Sequence, residues 1–509
     1  VEDIKKFLSE HRDKPYISCE YAHAMGNSCG AIYKYTELTE TEELYQGGFI
    51  WDYIDQSLTV KDRYGVEYQA YGGDFDDRPN DFSFSGNGIC YGKDRAPSPK
   101  MQEVKFAYQT LKIDFDDDNN MIITNKNLFT SSDVYNCQIT IQKEGKIIEE
   151  NNGVIAVNPL SEKKIPIPID IPDGDGEYVL TVSFTLRNAT LWANEGHEVA
   201  FGQKVFGKRE KEEPASCPLT VIHGWCNLGV RGDDFEVLFS NLRGGLVSYI
   251  YAGRELIKQP PMPNYWRPMT ENDIANLLPF RAAQWKIASM YQSCKYEHGR
   301  KATDYRITEH ENSVDICFTY HLPTKPEKDA LLTYKVYGDG RIDVHLEMDG
   351  ADEIGELPEF GLLFTLDADY DRLKWYGLGP DETYMDRNHA KLDVYENNVS
   401  DNMAKYLRPQ ECGNKEGVRW ATVTDRSGIG FCFSGEDLSF SALPYSPHDI
   451  DNAGHTNELP PVLSTYIRVA KAQMGVGGDD TWGALVHPEY LLDTKGKLIF
   501  DFSFRGVAI

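Results

Sequence analysis

Glu20 and His23 stand three residues apart in the stretch "ISCEYAHAMGNS", residues 17 to 28, where an apolar run stops at a carboxylate. A carboxylate at the end of a strand can act as nucleophile, base or acid. In (β/α)8 barrels such groups sit in the loops above the carboxyl ends of the strands. A solitary Glu at a strand end also serves, and more often, as a structural ion-pair partner. Its surroundings bear on the choice. Sugar recognition needs a flat aromatic face for C–H groups and directional polar partners for hydroxyls. Trp51, Phe84, His23 and Asn87 could supply both, although Trp and Phe in a barrel are more often core residues.

The elements that would position these residues alternate. "VEDIKKFLSEHR" carries Ile4, Phe7 and Leu8 at the spacing of an amphipathic helix, and "PYISC" reads as a short buried strand. "AIYKYTELTETEELY" is a second helical stretch. "QGGFIWDYID" follows, with the apolar run Phe49-Ile50-Trp51 after paired glycines, and reads as a second strand. Helix, strand, helix, strand is an α/β rhythm.

From about Lys112 the period becomes two. "VYNCQITIQKEGKIIEE" and "GEYVLTVSFTL" alternate, and Glu144-Gly145 marks a hairpin, which together describe a β domain of sandwich size. "FGKREKEEPAS", Phe206 to Ser216, is charged, nearly without apolar residues, and reads as a linker. From about Leu219 to Ile509 the chain is β-rich again, with "DDFEVLFSN", "LLTYKVYGDGRIDVHLEMD", "LPEFGLLFTLD" and "KGKLIFDFSFRG" between turn residues, as in one large sandwich.

Composition limits the functional classes. A chain of 509 residues exceeds the roughly 250 to 300 at which single cores stop growing, so two to four domains are expected. The formal charge is −28 and no Lys/Arg block interrupts the acidity, which argues against nucleic acid and against an anionic membrane surface as partners. No run of about 18 apolar residues and no cationic start with an apolar leader is present. The ten cysteines are scattered without CxxC pairs, so structural zinc is not expected and most should be reduced. "GVGGDD" and "GLGPDE" lack the following helix that a phosphate cradle needs. "NAT" at Asn188 and "NVS" at Asn398 match glycosylation acceptors, a pattern frequent by chance.

Five blocks in this order, "CEYAHAMGNS", "QGGFIWDYIDQS", "YGGDFDDRPNDFSFSGNGI", "WYGLGPDETYMDR" and "MGVGGDDTWG", resemble the C-terminal half of the lac-operon type β-galactosidases of glycoside hydrolase family 2. The likeness runs over essentially the whole chain, strongest in the first hundred residues and the late motifs. It implies a multidomain, mainly β protein. Residues 1–108 would be the C-terminal part of a (β/α)8 TIM barrel and 109–206 an immunoglobulin-like β-sandwich. Residues 207–218 would be a linker, and 219–509 a large antiparallel β-sandwich of the galactose-mutarotase-like supersandwich type.

The resemblance implies a role for each residue. Glu20 would be the nucleophile, forming a covalent galactosyl-enzyme intermediate with retention. His23 would bond a galactose hydroxyl more strongly in the transition state. Trp51 would form the pocket floor, and Phe84 a mobile ring whose backbone carbonyl binds sodium. Asn87 would give its side-chain oxygen to the same sodium near the C6 hydroxyl, and Trp482 would be a platform for the leaving group. "YWRPMTENDI" resembles a segment that packs toward the active site, with Arg267 and Glu271 structural.

A whole barrel needs about 250 residues, and the part through residue 108 can supply roughly its last two strands. The resemblance therefore places several groups ahead of Val1: the acid/base Glu, the magnesium ligands, a catalytic tyrosine, a sodium-ligating Asp and a sugar-binding domain. The N-terminal half of the same enzyme becomes an expected partner, alongside a β-galactoside substrate and, once complete, a homo-oligomer. Asp52, Asp55, Asp74, Asp76 and Asp77 are the carboxylates that could stand in as the acid, but they read as loop carboxylates, none having a partner in sequence that would raise its pKa. The competing readings are a non-catalytic carbohydrate-binding or assembly module and a family 2 enzyme for another sugar. Cytoplasm and periplasm both stay open.

Overall fold

The computed structural model describes residues 1–172, 174–294 and 304–509. The described chain is mainly β with few and short helices. It forms two compact units. One comprises Val1–Glu103, Pro214–Asn388 and Tyr395–Ile509, and the other Val104–Glu213 with His389–Val394.

The first unit opens with helix α1, Glu2–Glu10, and strand β1, Tyr16–Tyr21, then helix α2, Tyr33–Thr41, and strand β2, Tyr45–Ile50. Helix α1 buries Ile4 and Leu8 as its periodicity predicts. Phe7 instead stays half-exposed and packs its ring on His11 and Tyr16, at centroid distances of 4.4 and 5.5 Å. Strands β1 and β2 run parallel, with Ser18 opposite Gly48 and Tyr21 opposite Ile50. Helix α2 connects them, so β1-α2-β2 is the crossover that parallel pairing requires.

The rest of this unit is dominated by a twelve-stranded, mainly antiparallel sheet, and a five-stranded sheet lies between residues 220 and 255. Alternation along the strands explains the layering. In Leu498–Ala508 the side chains of Leu498, Phe500, Phe502 and Phe504 are buried while Ile499 and Asp501 face out. The neighbouring strand Ile342–Met348 sets Leu346 opposite Phe500 and Val344 opposite Phe502. Beyond it, Leu332 and Tyr334 of Lys328–Tyr337 meet Leu346 and Val344. Such residues share one core with Trp266, Trp285 and Trp375. Each large side chain so buried contributes about 1.5–3 kcal/mol of transfer free energy.

The second unit has a four-stranded and a three-stranded antiparallel sheet over a core of Leu111, Ile123, Ile139, Ile141, Leu180, Val182 and Phe184. Tyr135–Lys143 and Lys146–Gly153 form the hairpin expected at Glu144-Gly145. Both turn residues have positive φ, 45° and 75°, the geometry of the tight turn that matches strand twist.

Candidate active site

Strand β1 carries Glu20 as its penultimate residue, with the side chain exposed and without a hydrogen-bond or ion-pair partner among the described residues.

Beyond Glu20 the backbone leaves the strand and is caught by two other loops. Ala24 N–H donates to the Trp51 carbonyl at 2.7 Å and Gly26 N–H to that of Gly86 at 3.1 Å. Asp52 N–H donates to the Asn87 carbonyl at 2.5 Å, and Gln56 N–H to that of Ser85 at 2.8 Å. Thus the ends of β1 and β2 and the loop around the short 3-10 turn Phe82–Ser85 are laced into one layer. Lys100 secures it from behind. Its buried ammonium donates to the carbonyls of Ala24 and Gly26 at 2.6 and 2.7 Å, and burial holds it below the ordinary lysine range.

His23 is buried, 3% exposed, and burial lowers its pKa to about 4, with the charge of Lys100 adding to the effect and that of Asp480 opposing it. It is neutral at ordinary pH. Its Nδ1 lies 2.7 Å from Thr481 Oγ1, while Nε2 is buried with no hydrogen-bond partner among the described residues. The Phe84 ring packs beside the imidazole at 4.9 Å, and Trp482 meets it edge-on at 5.4 Å. Trp482 itself is 54% exposed and Trp51 is 43% exposed, so neither is core. Asn87 is buried, its Nδ2 donating to the Phe84 carbonyl at 3.1 Å and its Oδ1 unpartnered among the described residues.

The late motifs hold this layer in place. Asp386 accepts the amides of Val476 and Gly477 at 3.0 and 2.8 Å, and its carbonyl accepts Ala31 N–H at 2.6 Å. Gly30 N–H donates to the Gly477 carbonyl at 2.7 Å. Arg387, fully buried, donates to the Ser28 carbonyl at 2.7 Å and to Glu382 at 2.6 Å. Asn27 Nδ2 donates to the Glu411 carbonyl at 2.8 Å. Asp480 takes the amides of Trp482, Gly483 and Ala484, and Asp479 is bonded by Tyr35 of helix α2 and by His487, both at 2.6 Å.

His23, Phe84 and Trp482 are thus brought together, with Asn87 joined to the Phe84 carbonyl and Trp51 tied through its backbone to Ala24. Arg267 forms a buried ion pair with Asp273 at 3.0 Å, and Glu271 accepts from Ser83 at 2.6 Å one residue before Phe84. Asp55 departs from its expected environment. It is buried, accepts Gly88 N–H at 2.7 Å, and burial raises its carboxyl, yet that bond fixes the loop carrying Asn87. Sequence reading missed Thr481, Lys100, Asp386 and Asp480. Only the position of Thr481 beside Trp482 could have drawn attention to it. A cavity of about 440 Å³ between Trp266, Met290 and Arg408 is lined by none of the six predicted site residues.

Residues 1–113 match the family described as glycosyl hydrolases family 2, TIM barrel domain. Residues 121–206 match β-galactosidase, domain 4, and residues 231–505, more than half of the chain, match β-galactosidase small chain. The chain belongs to glycoside hydrolase family 2, in its β-galactosidase branch, as a C-terminal part. It is 44% identical to a β-galactosidase of Halalkalibacterium halodurans over 99% of this chain and 50% of the relative. It is 39% identical to one of Priestia megaterium over 99% and 49%, and 40% identical to one of Streptococcus thermophilus over 97% and 48%. The chain spans about half the length of the curated relatives it matches. Among solved structures, a galactose 1-epimerase of Lactobacillus acidophilus matches over 58% of this chain and 99% of that one, at 10% identity and a TM-score of 0.30, too weak a likeness to bear on fold.

Proposed function

We propose that this chain supplies the nucleophile half of a retaining β-galactosidase. The observation that carries the reading is the closure of Thr481-Trp482 over His23 and Phe84 at the end of the strand bearing Glu20. Two regions distant in sequence meet there around an imidazole nitrogen that is buried and unpartnered, which suits a ligand hydroxyl. The names of the relatives favour galactose as the sugar.

In this reading Glu20 attacks the anomeric carbon and the leaving group departs with a proton from a second carboxyl group. Retaining enzymes hold that pair about 5 to 5.5 Å apart. The second carboxyl is assigned to the N-terminal half of the enzyme, and water later releases galactose with the configuration kept. His23 Nε2 binds a sugar hydroxyl as oxocarbenium character develops, which favours the transition state over the ground state. Trp51 forms the floor and Trp482 the platform for the leaving group. The same reading takes residues 1–108 as the last part of the barrel, 109–206 as immunoglobulin-like and 219–509 as the supersandwich. The N-terminal half is the partner, and the complete enzyme is a homo-oligomer.

Sodium fits the residues present. The Phe84 carbonyl and the buried, unpartnered Asn87 Oδ1 stand on one short loop, and a monovalent cation there would fix that loop and orient the sugar's C6 hydroxyl. For magnesium the described residues gather no group of three or more His, Cys, Asp or Glu, and its ligands are assigned to the N-terminal half.

The test joins this chain to its N-terminal half and measures hydrolysis of an aryl β-galactoside. The joined enzyme should turn over, the isolated chain should be inactive, and Glu20→Gln should abolish turnover. A 2-fluoro-galactoside should trap an adduct on the peptide containing Glu20. Robust activity from the isolated chain, or an adduct elsewhere, refutes the reading. Preference for another glycoside would reassign the sugar.

A further inference from the structure

Residues 479 to 484 place three adjacent side chains in three different tasks. Asp479 anchors the segment to Tyr35 of helix α2, Asp480 collects the amides of the next turn, and Thr481 turns inward to His23. Thr481 and His23 are each 3% exposed, and their contact of 2.7 Å is the imidazole's one hydrogen bond among the described residues.

A neutral imidazole has one donor and one acceptor nitrogen, so whichever role Nδ1 takes toward Thr481 leaves the other role to Nε2. The threonine hydroxyl has no second hydrogen-bond partner among the described residues. Were it to accept from Nδ1–H, its own proton would be buried and unbonded, which costs free energy. Donation from the Thr481 hydroxyl to Nδ1 satisfies both groups.

We infer that Thr481 is a positioning residue for His23: its hydroxyl donates to Nδ1, fixing the tautomer with the proton on Nε2 and presenting Nε2–H as a donor to a hydroxyl oxygen of the bound sugar. The inference rests on the reading of His23 as a sugar ligand. It also explains why Thr481 and Trp482 are neighbours. Their shared turn lays one residue against Nδ1 and the next against the ring edge, so the element that would carry the leaving group also orients the glycone contact.

Two measurements test it. In this chain labelled with ¹⁵N-histidine, the His23 resonances should show an unprotonated Nδ1 and a protonated Nε2, and Thr481→Val should mix the tautomers while Thr481→Ser preserves them. A protonated Nδ1 in the parent, or a tautomer indifferent to Thr481→Val, overturns the inference without reference to activity. In the joined enzyme, Thr481→Val should lower kcat/KM by about tenfold, the loss expected of one buried hydrogen bond. Thr481→Ser should restore most of it, and the valine effect should vanish in a His23→Ala background. An undiminished kcat/KM, or a loss that persists without His23, overturns it. Should the joined parent lack galactosidase activity, the functional reading fails instead and the tautomer alone decides the Thr481 assignment.

Discussion

The carboxylate of Asp386 presses against Gly30. It accepts the amides of Val476 and Gly477, and a Cβ built on Gly30 would stand 2.1 Å from its Oδ2 and 2.7 Å from the Gly477 carbonyl. Gly30 does not have a positive φ, so the requirement is one of space and not of backbone freedom. Gly30→Ala should therefore destabilise by about 1–3 kcal/mol, as overpacking does. Denaturant unfolding measures the loss, and amide exchange should show Gly477 losing protection. A variant as stable as the parent would show that the contact relaxes without cost.

Arg387 is the second clasp. It bridges the Ser28 carbonyl and Glu382 with both groups almost fully buried. Arg387→Met should cost about 3–5 kcal/mol by leaving a buried charge short of its partner. Arg387→Lys should not recover it, because one ammonium lacks the fork that reaches both acceptors. The unfolding midpoint of the two variants decides.

Lys415 makes a pH signature. Burial lowers its ammonium to about 8 from an ordinary 10.5, although its Nζ donates to the Pro380 carbonyl at 3.1 Å and lies over the Trp375 ring. Between those two values the unfolded chain keeps a proton that the folded chain has released, so this group makes stability rise with pH across the window. Lys415→Met removes the effect. Its advantage over the parent should be greatest near and below pH 8 and shrink by about 3 kcal/mol toward pH 10.5. A difference that stays constant over that range counts against the assignment.

Trp482 should act on binding and not on folding. With its ring half in solvent, Trp482→Ala should change stability by less than about 0.5 kcal/mol. In the joined enzyme the same change should raise KM for aryl galactosides by about tenfold while leaving inhibition by free galactose nearly intact. Equal effects on both ligands would remove the platform role.

In the proposed reading Asn87 should report on sodium. Replacing sodium with caesium in the joined enzyme should reduce kcat/KM, and Asn87→Ala, which removes the free Oδ1, should lower activity and abolish the response. A variant that remains as sodium-sensitive as the parent would locate the ion elsewhere.

Much of the local architecture was legible in the chain. "PYISC" reads as a short buried strand, and a strand is there, running on through Glu20 to Tyr21, but it is not buried: Ile17 is exposed and only Ser18 and Tyr21 are covered. The stretch beginning at Ala31 read as a helix, and Tyr33–Thr41 is one. The alternation of "KLIFDFSFRG" named its buried faces. Phe7 escaped its predicted burial because an apolar period tells which face turns inward, not what lies opposite it. Asp55 escaped because burial is a property of the fold, so nothing in "DYID" foretold a raised carboxyl.

What the amino-acid sequence determined by itself is therefore the family, many of the local elements and six candidate residues named one at a time, while the helices between Glu271 and Tyr291 lay outside that reading. Periodicity, turn residues and motifs act over a few positions, and all of these follow from neighbours. Which residues meet was decided only in the tertiary structure. His23 and Thr481 are 458 positions apart and share a hydrogen bond because Asp386, Arg387 and Asp479 bind the late loops to the first forty residues. No local pattern carries that information. It arises from the satisfaction of buried backbone and charged groups, which must find partners wherever the folded chain supplies them.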